Sequence, residues 1–259
     1  MTMPRGLEVY LTQLWELAHS EWKLRQQSSF GGFLWTLLEP LLMYSVFYWL
    51  FTQWMRGTVQ NYASLLIIGV VLYGFFQGAT TYGMTALLRR RGILMNFIMR
   101  REILVFSSVL SVAMSFLLEF AIVLAFVAVI GRPLLTTWLF LPFIIGLEFV
   151  LVLGLSLHLS VLATRYSDFE RIWRILTTAG FFLTPVFYSL DVMSESRRRW
   201  IRLNPVAQII ELTRDCVVRG LAPDWNRAGI LLLLCCALVM TGYMLFKRYE
   251  RRFSDYVSA

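Results

Sequence analysis

Lysine, histidine and cysteine are scarce here, and each shortage closes off a kind of chemistry. Lys23 and Lys247 are the only lysines among 24 basic residues, so the net charge of +8 rests on arginine. The two histidines, His19 and His158, stand far apart and no H-E-x-x-H occurs, which removes the zinc-protease pattern. Three cysteines, two of them adjacent at Cys235 and Cys236, give neither a disulfide framework nor zinc-ligand spacing, so no metal site is expected. No G-x-x-x-x-G-K-S/T is present, so the chain has no P-loop with which to bind ATP. Charge is thin at 15%, where soluble domains carry about 25%. Hydrophobic residues make up 58%, against about 45–50% in soluble domains. That balance excludes a disordered chain and a nucleic-acid-binding module. The first apolar run comes late and lacks a small-residue cleavage site, so no removable signal peptide is expected.

What is present is lipid-soluble sequence. Six runs reach the roughly 20 apolar residues that a transmembrane helix needs: Phe33–Trp54, Tyr62–Leu88, Ile103–Ile130, Trp138–Ala163, Ile172–Leu190 and Ala228–Phe246. None alternates with period two as barrel strands do. The expected fold is an all-α integral membrane protein forming a single transmembrane domain over residues 1–259. It has six transmembrane helices, an N-terminal amphipathic helix over 7–27 and two short re-entrant helices in 191–227, between spans five and six. Arginines and lysines gather in the N-terminal arm, the second and fourth loops and the tail at 247–259, so both termini are read as cytoplasmic. The short outer loops hold one each, Arg56 and Arg132. The outer segment Asp191–Arg227 breaks the pattern with seven arginines, nearly balanced by Asp191, Glu195, Glu211, Asp215 and Asp224.

The segments outside the spans have patterns of their own. Leu7, Tyr10, Leu11, Leu14, Trp15, Ala18 and Trp22 recur at three and four residues, with Glu8, Gln13, Glu16 and Lys23 opposite. Such a helix lies in the membrane interface, as a simple anchor or as a docking surface. The loop R-R-R-G-I-L-M-N-F-I-M-R-R flanks an apolar stripe, Ile93, Leu94, Phe97 and Ile98, with arginine clusters at Arg89–Arg91 and Arg100–Arg101. Positive-inside bias accounts for the arginines, while the stripe needs a cover. In the fourth loop Ser167 and Glu170 have capping-box spacing, with Asp168 adding negative charge at a helix start and Arg171 and Arg174 able to snorkel. In the outer segment one helix is predicted over Ser194–Leu203. A second starts at Asn204-Pro205 and stops near Gly220, with Val206, Ile209, Ile210 and Val217 on one face.

Inside the spans the polar groups stand out. Glu119 and Glu148 sit deep in the third and fourth runs, where a charge costs about 2.5–3.5 kcal/mol. They are protonated, or paired with each other or with His158. A proton relay and a structural bond between helices both fit. Gly74 and Gly78, flanked by Gly69 and Gly83, spell a close-packing stripe. Pro40, Pro142 and Pro185 can each kink a helix. Trp35, Tyr44, Phe47 and Tyr48 crowd the first run, and Phe181, Phe182, Phe187 and Tyr188 the end of the fifth. Tyr44 and Phe181 lie too deep for an interfacial belt, and aromatic faces suit the C–H surfaces of sugar rings. Ser156 and His158 are two apart on a helix and point away from each other, which disfavours an intramembrane protease.

Three stretches carry a family resemblance. The amphipathic arm followed by G-G-F-L-W-T-L-L-E-P (Gly31–Pro40) resembles the opening of type-2 ABC exporter permeases. S-D-F-E-R-I-W-R-I-L with F-F-L-T-P-V-F-Y (Ser167–Leu176, Phe181–Tyr188) and L-N-P-V-A-Q-I-I-E-L-T-R (Leu203–Arg214) are similar to the same family, in order, over nearly the whole chain. That family exports lipid-linked O-antigen, teichoic acid and capsular polysaccharide across the inner membrane. The resemblance implies a homodimeric permease in the cytoplasmic membrane, paired with two copies of a separate P-loop ATPase that holds ATP and Mg. It implies that this chain binds no cofactor, touches membrane lipids and takes no nucleic acid. It places ATPase coupling at Arg89, Arg90, Arg91, Ile93, Leu94, Phe97, Ile98, Arg100, Arg101 and Glu102, with a second contact at Ser167, Asp168, Glu170 and Arg171. The glycan path falls to Trp35, Tyr44, Phe47, Tyr48, Phe181, Phe182, Phe187 and Tyr188. An outer gate falls to Arg198, Trp200, Asn204, Pro205, Glu211 and Arg214. Two rivals remain at this point: a type-2 permease for a drug or free lipid, and an ATP-independent proton-coupled carrier using Glu119 and Glu148.

Overall fold

The computed structural model describes residues 5–27, 32–55, 61–96, 99–129, 136–190, 193–250 and 253. Arg56, Phe97, Ile98, Ile130, Arg132, Asp191 and the side chains of Trp35 and Trp54, all named from the sequence, lie outside this set. The described residues are helical, with no strand among them. In chain order the helices are α1 (Arg5–Gln27), α2 (Gly32–Met55), α3 (Tyr62–Met84), α4 (Ala86–Arg89), α5 (Arg91–Asn96) and α6 (Glu102–Val129). There follow a 3-10 turn (Thr136–Phe140), α7 (Leu141–Arg165), α8 (Phe169–Leu183), α9 (Glu195–Ile201) and α10 (Pro205–Arg214). A π-turn (Asp215–Arg219) and α11 (Trp225–Tyr249) complete the chain.

Among the described residues, four helical stretches are long and apolar enough to cross a membrane: Tyr62–Met84, Glu102–Val129, Thr136–Arg165 and Trp225–Tyr249. This is a multi-pass membrane protein. Of the other two expected spans, α2 contributes a shorter apolar stretch, Leu38–Phe51. The fifth run breaks early. Pro185 disfavours helix at the residue before it, so Thr184 is extended (φ −87°, ψ 143°) and α8 ends at Leu183 after 15 residues. At 1.5 Å per residue α8 is about 22 Å long, short of the roughly 30 Å hydrocarbon core. The second run also stops short of Leu88, because the chain turns at Thr85 (φ −87°, ψ 1°). Pro142 does not kink its helix. It occupies the first turn of α7, where its missing N–H costs nothing.

The expected cap at Ser167–Glu170 does not form. Asp168 precedes α8 in helical conformation (φ −79°, ψ −9°) with no side-chain cap, whereas a capping box needs an extended N-cap. Glu170 pairs instead with Arg174 at 3.0 Å. The Asn204-Pro205 signal holds: Asn204 Oδ1 accepts from the Val206 N–H at 3.0 Å and Pro205 opens α10. The π-turn after α10 ends on Gly220 in the left-handed region (φ 70°).

Helix α3 is the centre of the bundle, packed on α2, α6, α7 and α10, while α11 lies along α7 and α1 along α6. The small residues that matter for packing are not the expected pair. A Cβ on Gly74 would meet nothing within 4 Å, and one on Gly78 only Val112 at 4.0 Å. Gly69 is where α3 is approached closely: a Cβ there would fall 2.5 Å from the Val186 carbonyl oxygen and 2.8 Å from Arg214 Nη2. A second close approach joins α7 to α11, where a Cβ on Gly154 would lie 2.8 Å from the Val239 nitrogen.

Arg214, 1% exposed, is the reason for the Gly69 contact. Its Nε and Nη2 donate to the Leu65 carbonyl at 3.0 and 2.8 Å. Nη2 also donates to Val186 O at 2.7 Å, and Nη1 to Pro185 O at 2.7 Å and Tyr188 O at 3.3 Å. Glu211 Oε1, at 3.0 Å, neutralises the charge. One guanidinium thus ties α10 to α3 and to the turn that Pro185 opens.

Two outcomes follow. Gly69→Ala is expected to lower the melting temperature of the detergent-purified chain, while Gly74→Ala leaves it unchanged. Arg214→Ala is expected to cost about 3–5 kcal/mol, the usual loss when one partner leaves a buried charged network. Arg214→Lys recovers only part of this in the same melting assay, because an ammonium lacks the planar fork of donors.

Candidate functional site

The N-terminal arm and the arginine loop form one surface. On α1, Tyr10, Leu14, Leu17, Ala18 and Glu21 turn toward the bundle, leaving Leu7, Leu11 and Trp15 exposed. The expected apolar face is therefore split between the core and the outside. Glu21 was not singled out from the sequence, yet it fastens the arm. It is 5% exposed, pairs with Arg90 at 3.0 Å and Arg89 at 3.6 Å, and accepts from the Ser108 hydroxyl at 3.0 Å. Burial pushes the Glu21 carboxyl above its ordinary range, with the Arg90 and Arg89 charges pulling against that shift. Its only sequence signal is a carboxylate on the inward side of an amphipathic helix.

The arginines of the loop divide into two groups. Arg89 lies over the Tyr82 ring at 3.4 Å, and Arg90 donates to Ser107 Oγ and to the Leu17 carbonyl. Arg101 donates to the Glu250 carbonyl. These three hold the loop to the rest of the chain, while Arg91 and Arg100 are exposed. The apolar stripe needs no outside cover at Leu94, which is 4% exposed against Ala86, Leu87, Leu104, Leu157 and Phe246, and Ile93 packs on the same cluster. Glu102 is likewise internal, 1% exposed and bound by Lys247 Nζ at 2.9 Å. Leu94 and Glu102 therefore face inward, which corrects the expectation that they meet a partner. Tyr166, Ser167, Asp168 and Arg171 are exposed, and Glu170 is half-buried.

The aromatics of the first and fifth runs do come together. Phe47 stacks on Phe187 (5.6 Å between centroids) and contacts Phe181 (5.4 Å). Phe182 and Tyr188 extend the cluster at 5.5 Å from Phe181 and 5.1 Å from Phe187. Tyr44 stacks on Tyr48 at 5.5 Å and meets the ring of Phe126 of α6 edge-on at 6.1 Å instead. Phe47, Phe181 and Phe182 line a cavity of about 700 Å³ between α2, α3, α6 and α8. Gly74 and Gly78 open onto it, so the glycine stripe makes room rather than contact. Tyr73, Gln77, Ser115 and Thr178 put hydroxyl and amide groups on its wall, and Arg25, Glu39 and Glu119 add charge. Tyr73 and Gln77 escaped the sequence reading because an i, i+4 polar pair inside an apolar run has no partner until α8 is placed. Tyr73 Oη then donates to the Thr177 carbonyl at 2.6 Å and Gln77 Nε2 to Thr177 Oγ1 at 3.3 Å.

Among the described residues, the membrane-buried titratable groups are not assembled into a relay. Glu119 lines the cavity, and Glu148 is fully buried with neither oxygen hydrogen-bonded. His158 Nδ1 lies 2.8 Å from the Gly154 carbonyl, and Nε2 lies 3.3 Å from Thr241 Oγ1. The expected pairing of the two carboxyls with each other or with His158 is therefore absent among the described residues. Ser156 Oγ also lacks a partner, packed where a Cβ on Gly83 would be 2.6 Å from it, so no Ser–His dyad exists. All three cysteines are free. In the outer segment Trp200 is 76% exposed, Asn204 Nδ2 donates to Thr184 Oγ1 at 2.9 Å, and Glu211 bridges Arg214 and Arg219. Arg198 donates to the Leu190 carbonyl at 3.1 Å.

Comparison with known proteins gives this geometry a family. The profile of the ABC-2 type transporter family matches residues 12–218. The O-antigen export system permease protein RfbA of Klebsiella pneumoniae is 26% identical over 240 residues, 92% of each chain. RfbA of Myxococcus xanthus is 26% identical over 255 residues, 97% of each chain. The polysialic acid transport protein KpsM of Escherichia coli is 21% identical over 232 residues, 85% of this chain and 86% of its own length. With four-fifths of its length matched by the family profile, and with membrane-length helices around an aromatic cavity, this chain belongs to the ABC-2 type transporter family.

Proposed function

We infer that the chain is the membrane subunit of an ATP-driven exporter that moves a lipid-linked polysaccharide of the O-antigen or capsule type out of the cytoplasm. The observation that carries this reading is the end-to-end likeness to permeases named for O-antigen export, 92–97% of each chain. The cavity agrees with it. A sliding polymer needs surfaces that hold sugar rings without fixing them, and the faces of Phe47, Phe181 and Phe182 beside scattered hydroxyls supply that. ATP and Mg belong to a separate P-loop ATPase, since the chain has no P-loop. In this reading α2 and the α8–Leu190 segment complete six spans, and both termini lie in the cytoplasm of an inner-membrane homodimer. The helices α9 and α10 form the outer gate, and Leu42, Val46, Trp49, Ile175 and Leu183, all exposed, meet lipid or the second copy.

The ATPase contact then falls on what the chain leaves uncovered: Leu7, Leu11 and Trp15 of α1, Arg91, Asn96 and Arg100 of the loop, and Tyr166 to Asp168. Glu21 couples these patches mechanically, because it joins α1 to α4 and α6 in a low-dielectric setting where removing one partner strands the other. A rigid-body push on α1 would thereby reach α6 and the cavity wall.

The direct test is purification of the tagged chain from its native membrane in mild detergent, with mass spectrometry of what accompanies it. A P-loop ATPase near equal stoichiometry is expected, and its repeated absence from an intact chain overturns the reading. Trp15→Glu is expected to reduce ATPase recovery and export by about tenfold or more, as loss of an interface anchor does, with normal accumulation of the chain. Leu94→Glu is expected to reduce accumulation itself, seen by quantitative immunoblot. Phe182→Ala should lower export while ATPase recovery and accumulation stay at wild-type levels.

A further inference from the structure

From Lys247 onward the sequence reads K-R-Y-E-R-R-F-S-D, a composition that belongs in water. Phe253 is nevertheless 0% exposed. Its ring meets that of Phe246 of α11 at 4.9 Å and 64°. It belongs to one apolar cluster with Leu87 of α4, Leu94 of α5, Leu104 of α6 and Leu157 of α7. Phe253 thus shares the core that receives the arginine loop.

Polar contacts fasten the same two segments. Helix α11 ends at Tyr249, and Glu250 follows it in helical conformation (φ −51°, ψ −40°). The last carbonyls of a helix have no partner within it. That of Glu250 accepts from Arg101, where the arginine loop ends and α6 is about to start. The Glu250 carboxylate accepts from Lys247 Nζ at 2.9 Å, and the same ammonium reaches Glu102 Oε2 at 2.9 Å. Glu250 is therefore tied through backbone and side chain to the junction of loop and span. Helix α5 needs such a seat. It is six residues long, and helices below about 12–15 residues are marginal by themselves, so its place is set by what it packs on. Leu94, 4% exposed, is its buried anchor among the described residues. A ring removed from the core that Leu94 enters leaves a void, and a helix this short cannot hold its place across one.

We propose that Phe253 is a positioning residue for the arginine loop. With Glu250 tied to Arg101, it seats α5, so that Arg91, Asn96 and Arg100, all exposed, are presented in one fixed orientation. A firmly seated α5 passes on a push as a body, whereas a loose one absorbs it. The part this plays in coupling to an ATPase rests on the exporter reading above. The seating itself does not.

The test compares the full-length chain and its Phe253→Ala variant by hydrogen–deuterium exchange in nanodiscs, each with whatever ATPase co-purifies. Amides of residues 91–96 are expected to exchange about tenfold faster or more in the variant, because lost packing lowers the free energy of local opening. Those of α3 and α10 keep their wild-type rates. Phe253→Leu, which retains most of the bulk, should restore protection. Phe253→Val is read in place of alanine if that variant fails to accumulate. In membrane vesicles, the glycan exported per ATP hydrolysed is expected to fall while ATPase recovery stays at the wild-type level, a split that general instability does not produce. Unchanged exchange over 91–96, or an equal rise in α3 and α10, overturns the proposal. Faster loop exchange with unchanged export per ATP overturns it as well. If loop exchange is unchanged while the ATPase co-purifies, only this proposal falls. If loop exchange rises as expected and no ATPase is found, only the exporter reading falls.

Discussion

A guanidinium removed from water must have its donors satisfied, and the architecture around Arg214 answers that demand. Pro185 stops α8 and leaves the carbonyls of Pro185, Val186 and Tyr188 outside any helical ladder. Arg214 collects them together with Leu65 O, and Gly69 leaves the space in which its fork lies flat against α3. The proline break and the buried charge are therefore complementary. Each without the other would leave unpaired polar groups inside the bundle. The position of Phe187 follows, and with it the stack on Phe47 that closes one end of the aromatic cluster.

The N-terminal half uses the same device. The buried Glu21 carboxylate meets Arg89, Arg90 and Ser108, so the arm is fixed by charge as well as by apolar packing. Lys247 and Glu102 repeat the pattern between α11 and α6. Three ion pairs, each with at least one buried partner, thus tie the helices together, and close approaches at Gly69, Gly83 and Gly154 add to them. Interior ionic contacts contribute little net stability, but removing one partner of such a pair costs about 3–5 kcal/mol because it strands the other.

Two cavities differ in chemistry. The larger one has aromatic walls and scattered hydroxyls, with Arg25, Glu39 and Glu119 among its lining residues. A smaller one, between α9, α10, the π-turn and α11, is lined by four arginines, two carboxylates, Gln208 and apolar side chains.

Much of this was legible in the sequence because the signals are local. Apolar run length sets which stretches can be membrane helices, Asn204-Pro205 sets the start of α10, and Gly220 sets the stop of the π-turn that continues it. The gathering of Phe47 with Phe181 and Phe187 was also within reach, since dense aromatics in two runs have few other places to pack. What the sequence could not settle is which face of each helix turns inward. Leu94 and Glu102 read as a partner surface, yet both are buried by residues of distant helices. Gly74 and Gly78 read as a packing stripe, yet they border open space. Arg214 read as part of an outer gate, and its bond to a carbonyl 149 positions away has no local signal. Helix ends and apolar composition follow from each residue and its few neighbours. Burial and charge pairing depend on groups that meet only when the whole bundle closes, so the tertiary structure alone decides them.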